Sequence, residues 1–260
     1  MAEHGTLFLY VVAMAFALLY GGFQKRGLYL LCAVATGIGF LLQTFGLVVQ
    51  WATLHYLPVI TLSEMLQATA WSLALLFFLS GCLYRHRVLI FFLLPLLALA
   101  QLTAGVVPVS HKETQAYFYT PWFSVHITLL VLGMALFLYA FLYSTVFIMQ
   151  DHRLRHRKPP LSLNLPSLEE SARWATRCLL SGYLFFTVGI FSSALYGVLH
   201  RGQSKWRPGL LEYASVAAWL LLSVAVYGWL TARVNPRRRS WIIVAGAACI
   251  LLIILGIQWH

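Results

Sequence analysis

The sequence predicts an all-α fold, a polytopic membrane helical bundle of about eight transmembrane helices with both termini on the outer (periplasmic) side. Three observations carry that expectation. Hydrophobic residues make up 61% of the 260-residue chain, charged residues make up 10%, and the mean hydropathy is +0.80, more apolar surface than a soluble core of this size can hide. The charged residues divide the chain into eight apolar stretches, near residues 6–23, 28–50, 62–84, 88–107, 121–149, 174–199, 211–232 and 241–259, each close to the roughly 20 residues that a helix needs to span a bilayer. None of them alternates polar with apolar residues, so the closed barrel, the other structure that satisfies its backbone in lipid, is excluded. The expected organisation is a single integral membrane domain over 1–260, with a cytoplasmic basic loop at about 150–173 and an outer loop at about 200–210.

The first stretch could serve as a secretory signal, but MAEHG before it carries no basic residue, no convincing A-x-A site ends it, and QKR follows. It is therefore read as a retained helix with its N-terminus outside. The fifth stretch opens at Pro121, which a first helical turn tolerates because the missing N–H would be unpaired there. Between the fifth and sixth lies DHRLRHRKPPLSLNLPSLEESARWATR, the longest extramembrane segment. A short interfacial helix is expected in it near Ser167, where S-L-E-E resembles a capping box.

Orientation follows from lysine and arginine. Alternate loops hold Lys25 and Arg26, then Arg85 and Arg87, then Arg153, Arg155, Arg157, Lys158, Arg173 and Arg177, then Arg233, Arg237, Arg238 and Arg239, which is 14 of the 18. Only Lys112, Arg201, Lys205 and Arg207 fall on the other side, so the basic loops are placed in the cytoplasm and the expected location is a bacterial cytoplasmic (inner) membrane. The same asymmetry accounts for the formal charge of +11 without a nucleic-acid partner. Membrane lipid is the expected contact instead.

Cys32, Cys82, Cys178 and Cys249 show no C-x-x-C or C-x-x-C-H spacing and are read as small buried hydrophobes. There is no Gly-rich phosphate loop, no G-x-S-x-G and no H-E-x-x-H. Glu64 and Glu212 are the only acids near helices on the outer side, too few for paired general acid/base catalysis, so classical hydrolase or transferase chemistry is not expected. A small-solute transporter fits poorly, because the spans hold no charged pathway and no matched pair of broken helices.

Histidines are the informative residues. His86, His152 and His156 lie in basic inner loops, whereas His4, His55, His111, His126, His200 and His260 lie at or beyond the outer ends of helices. His126 alone falls inside an apolar run, in TPWFSVHITLL, and an ionisable group within a span is costly enough to point to function. The plain alternative is an imidazole bonded to a neighbouring carbonyl or to water. Imidazole is a good iron ligand, and haem is held by axial histidines in apolar surroundings. Trp122 lies four residues before His126, with Leu129 and Leu130 continuing the same helical face, a surface compatible with a planar macrocycle. A second ligand from another helix at the same depth would be His260 in ILGIQWH, with His55 and His200 as competitors. The cluster His200, Arg201, Lys205 and Arg207 breaks the outer side's shortage of cations; haem propionates or an anionic partner surface could offset it, and so could plain hydration.

PWFSVH, the upstream YLPVITLSEMLQATAW, the basic fifth loop ending in LPSLEESARWATR and the eight-span layout together resemble the cytochrome c assembly (CcsA/CcmC-like) superfamily of haem-handling membrane proteins, above all its small HemX-like or YpjD-like branch. The similarity extends over nearly the whole chain. It implies that Trp122 and His126 form a W-x-x-x-H element supplying one axial ligand to haem b, and that His260 supplies the other. It also implies that Pro58, Ser63 and Glu64 belong to a P-x-x-x-x-x-E element opening the third helix. The family's dense outer tryptophan motif is reduced here to Trp206 within YGVLHRGQSKWRPGLLEY, with Glu212 and Trp219 matching its trailing part. Larger members carry a second histidine pair nearer the cytoplasm; the corresponding VYGWLTAR and the first two spans have none, so an inner haem site is not expected. The function implied is an accessory haem-binding protein in cytochrome c maturation or haem homeostasis, meeting other cytochrome c assembly proteins. The alternative is a non-haem membrane scaffold of the same fold that organises an assembly complex or modulates haem synthesis.

Overall fold

The structure is a computed structural model that describes residues 2–54, 57–59, 61–84, 89–107, 120–157, 165–199, 210–231 and 234–256. These residues form eight helices and no strand: α1 (Ala2–Phe23), α2 (Arg26–Leu54), α3 (Leu62–Tyr84), α4 (Leu89–Val106), α5 (Pro121–Arg155), α6 (Leu168–Leu199), α7 (Leu210–Leu230) and α8 (Pro236–Gly256). Six of them, α1 to α6, contain runs long and apolar enough to cross a membrane, and a shorter apolar run, Ser215–Leu230, lies in α7. The chain is an all-α, polytopic membrane protein.

Helix starts follow local chemistry. The Thr61 hydroxyl accepts the Glu64 N–H at 3.2 Å while the Glu64 carboxylate accepts the Thr61 N–H at 2.9 Å, a closed capping box that begins α3. Ser167 caps α6 in the same way, its hydroxyl accepting the Glu170 N–H at 3.2 Å. That cap does not begin a separate interfacial helix as the sequence led us to expect. It begins α6 itself, which runs unbroken into its apolar part, because nothing between Glu169 and Arg177 interrupts helical hydrogen bonding and Glu169 pairs with Arg173 across one turn at 3.0 Å. At the other end of the loop, α5 continues past the expected end at 149 to Arg155. α1 closes through Gln24, in the left-handed region at φ 54°, whose N–H reaches the Tyr20 carbonyl at 2.8 Å and turns the chain directly into α2.

The chain divides into two compact units. One comprises Met1–Ser124 with Leu161–Leu165, the other Val125–Pro160 with Pro166–His260. In the first, α1 packs on α2 and α4, α2 packs on α3, and α3 packs on α4. A buried polar relay crosses all four helices. The Tyr10 hydroxyl on α1 donates to Gln43 Oε1 on α2 at 2.7 Å, Gln43 Nε2 donates to the Gln67 carbonyl on α3 at 2.8 Å, and Ser63 Oγ donates to the Ala104 carbonyl on α4 at 2.7 Å. Gly39 makes room for the first link: a Cβ there would lie 2.9 Å from the Tyr10 ring. With Tyr10 wholly buried and Gln43 5% exposed, each bond replaces a polar group left bare in lipid.

In the second unit, α7 packs on α6 and α8, and α6 on α8. The buried carboxylate of Asp151, near the end of α5, accepts Arg155 Nε at 3.0 Å and Arg237 Nε at 3.2 Å from the start of α8. Gln150 Nε2 donates to the Pro166 carbonyl at 2.7 Å, just before α6. The basic segments flanking α5, α6 and α8 therefore gather at one end of this unit. Cys32 and Cys178 are buried thiols, while the side chains of Cys82 and Cys249 lie outside the described residues.

Replacing Gln43 by leucine takes from the Tyr10 hydroxyl its acceptor and removes the side-chain bond between α2 and the Gln67 carbonyl. Interhelical hydrogen bonds in membranes contribute about 0.6 kcal/mol each and at most about 1.7, so Gln43→Leu is expected to cost about 1–2 kcal/mol in equilibrium unfolding in detergent, and Tyr10→Phe about half as much.

Candidate functional site

Thr120 begins α5, its hydroxyl accepting the Phe123 N–H at 3.3 Å and its carbonyl the Ser124 N–H at 3.3 Å, with Pro121 in the first helical position. His126 follows in the second turn and is 7% exposed. Its Nδ1 lies 2.7 Å from the Gly189 carbonyl of α6, and Ser192 Oγ lies 3.3 Å from the same nitrogen while donating to the same carbonyl at 2.7 Å. A carbonyl only accepts, so Nδ1 carries the hydrogen, and in the neutral ring the lone pair then sits on Nε2.

The reach of His126 depends on how closely α5 and α6 approach. A Cβ on Gly133 would lie 3.0 Å from the Phe186 backbone nitrogen and 3.1 Å from the Gly182 carbonyl, and a Cβ on Gly182 would lie 3.1 Å from the Gly133 carbonyl. Backbone thus meets backbone, the contact that small residues give to helices in lipid. Seven residues along α6, Gly189 is covered by Leu130, whose Cδ2 is 2.7 Å from where a Cβ would stand. Leu130 is therefore packed against α6; the stretch of α5 that the sequence offered to a macrocycle is partly consumed by helix packing. Trp122 keeps its place one turn before His126 but is 40% exposed, so the two differ in environment.

The other side of α6 is held by α7. Trp219 Nε1 donates to Thr187 Oγ1 at 2.9 Å, the Trp219 ring stacks on Tyr183 at 6.0 Å, and Tyr183 shares a 2.9 Å hydrogen bond with Ser223. Thr187 and Gly189, two residues apart, are thus fixed from opposite partners. Ring orientation at His126 is set by a segment that is itself locked.

Glu64 is 6% exposed and its carboxylate closes the α3 capping box. His260, His55, His200, Trp206, Arg201 and Arg207 lie outside the described residues. Among the described residues no three or more His, Cys, Asp or Glu side chains converge on a metal position. A haem iron makes a smaller demand, because the porphyrin supplies the equatorial nitrogens and the protein only the axial donors. A buried imidazole whose Nδ1–H is anchored to a carbonyl meets that demand, since the anchor fixes the tautomer and raises ligand basicity.

Residues 59–260 match the family described as "Cytochrome C assembly protein". The chain belongs to the cytochrome c assembly protein family. The match begins at Val59 and takes in α3 to α8, so α1 and α2 precede it, a shorter span than the near-complete resemblance read from the sequence. No curated protein matches the chain. Family membership assigns this membrane protein to cytochrome c maturation and the handling of haem, and the matched part of the cytochrome c assembly protein contains His126, Gly189, Ser192, Glu64 and Trp219.

Sequence reading missed Gly133, Gly182, Gly189 and Ser192. The signal was present in two glycines seven residues apart in the sixth apolar run, with a serine three residues later; such spacing marks one helix face but does not say which helix meets it. Gly133→Leu pushes backbone from backbone and is expected to lower stability by about 3 kcal/mol, read as a fall in the unfolding midpoint in detergent. Gly105→Leu, where an added Cβ meets nothing within 4 Å, should leave the midpoint unchanged.

Proposed function

We propose that the protein binds haem b near the outer face of a bacterial cytoplasmic membrane, with His126 Nε2 as one axial ligand, and acts as an accessory haem-handling protein of the HemX-like or YpjD-like branch. The reading rests on one observation above others: the hydrogen bond from His126 Nδ1 to the Gly189 carbonyl, which presents an oriented imidazole with its lone pair on Nε2.

Depth supports the same reading. From His126 to Asp151 the helix rises about 37 Å at about 1.5 Å per residue, more than the roughly 30 Å of hydrocarbon. With the arginine-rich end that gathers on Asp151 in the cytoplasm, this reading puts His126 at the outer boundary. Bound haem contributes an iron that takes axial nitrogen donors; the protein's part is to orient the imidazole, bury it and exclude water. Under this reading His260 is the second ligand, with His55 and His200 as competitors. Trp122 and Trp206 flank the macrocycle, and Arg201 and Arg207 neutralise the propionates. Glu64 secures the start of α3 through its capping box, and partners among the cytochrome c assembly proteins receive or supply the cofactor.

Protein purified after expression with ample haem is expected to show a Soret band. His126→Ala should reduce it by about tenfold or more, the scale on which loss of a metal-orienting or ligating group acts, and imidazole added to His126→Gly should restore it. Substituting His260, His55 and His200 singly identifies the second ligand by a shift of the Soret maximum. Arg201→Ala with Arg207→Ala should speed haem loss to apomyoglobin without moving the maximum. Colourless protein from haem-replete cells overturns the reading and leaves the non-haem scaffold.

A further inference from the structure

At the arginine-rich end of the second unit, α5 and α8 line a groove of about 520 Å³, within the range of about 300–1,000 Å³ typical of ligand clefts. Ile148, Met149 and His152 line it from one stripe of α5, and Trp241 and Val244 line it from α8, with Arg153 beside His152. Along α5 the lining passes from Thr145, Ile148 and Met149 to His152 and Arg153, so the groove has an apolar stretch and a charged mouth where α5 leaves its apolar run. Trp241, 52% exposed, stands at that mouth in the position tryptophan favours at a membrane boundary.

Charge at the mouth is one-sided. The segments 151–157 and 234–241 contain six arginines, Arg153, Arg155, Arg157, Arg237, Arg238 and Arg239, against one acid, Asp151. That acid is already engaged by Arg155 and Arg237. His152 and His156 face each other with ring centroids 4.3 Å apart, adding two imidazole donors to the same corner. An apolar slot opening into such an excess of cations matches an amphiphile with a hydrocarbon tail and an anionic head.

We propose that this groove is a binding site for an anionic phospholipid of the inner leaflet, one acyl chain lying between α5 and α8 and the phosphate received by Arg153 and His152. The site is distinct from His126 and independent of haem. A zwitterionic phospholipid brings its own cation to a corner already rich in arginine, so the head group discriminates; a soluble phosphate lacks the tail that fills the slot. Occupancy would brace the inner ends of α5 and α8 against each other, beside the Asp151 ion pairs.

Native mass spectrometry of the full-length protein released from detergent tests it, with dioleoylphosphatidylglycerol and dioleoylphosphatidylcholine as competing probes. Preferential retention of the anionic lipid is expected, and Arg153→Ala should weaken it by about fivefold, the factor equivalent to about 1 kcal/mol per surface cation. Val244→Trp, which fills the slot without altering charge, should abolish retention while wild-type affinity for glycerol phosphate stays negligible. Unfolding midpoints in detergent near that of the wild type confirm that both variants fold, and Met149→Ala, which widens the slot instead, should retain lipid even if the tryptophan variant fails to fold. Equal retention of both lipids, an unchanged preference in Arg153→Ala, competition by glycerol phosphate, or capture of a second copy of the chain by a photo-crosslinker at Val244 would overturn the proposal.

Discussion

Everything around His126 in the second unit depends on two glycine backbones touching. In water, α5 and α6 could be pressed together by burying apolar side chains, but in lipid the side chains lose nothing by facing hydrocarbon, and association rests on contact and hydrogen bonding. Gly133 and Gly182 provide the contact. The approach brings the Gly189 carbonyl within reach of an imidazole one helix away. A methyl group at Gly133 would set α6 back, and the imidazole would then face a gap too wide for a direct bond. Packing and site chemistry are thus one feature seen at two positions along the same seam.

The opposite end of the unit is governed by charge. A single buried carboxylate, Asp151, draws arginines from α5 and α8, and it works because one acid shared by two cations leaves no uncompensated charge on the buried partner. Glycine contacts at one end and an ion-pair clasp at the other hold α5 at both extremities. α5, at 35 residues, is longer than the hydrocarbon layer, and its excess length carries His152, Arg153 and Arg155 at the end that holds Asp151.

Much of this was legible in the sequence. Eight apolar runs became eight helices, Pro121 opened α5 where its chemistry placed it, and Ser167 served as a cap. The cap was assigned to the wrong helix because hydropathy ends a span where charge begins, whereas a helix continues as long as its backbone bonds do; Glu169 and Arg173 are good helix formers that no membrane argument counts. His126 stood out as an imidazole in an apolar run, and the bond to a carbonyl that its plain reading named is the one the structure shows. That the partner is the Gly189 carbonyl could not be read from the chain, because it depends on which face of α6 meets α5, and 63 residues separate the two groups. Glu64 was noticed as a rare acid near a helix and through a family pattern, while its bond to Thr61 follows from the T-x-x-E spacing alone.

Gln43 bears on how the protein is made. α1 and α2 precede α3 in the chain and are joined by only a tight turn at Gln24, so they can enter the bilayer as a hairpin before it. In that hairpin the Gln43 carbonyl oxygen already has Tyr10, but the amide nitrogen has no partner until the Gln67 carbonyl arrives with α3. The hairpin is therefore chemically incomplete in lipid and carries a specific vacancy that only the first helix of the family-matched region fills. One uncharged side chain serves as an assembly latch, admitting the added hairpin to the bundle in a fixed register and in a fixed order of synthesis.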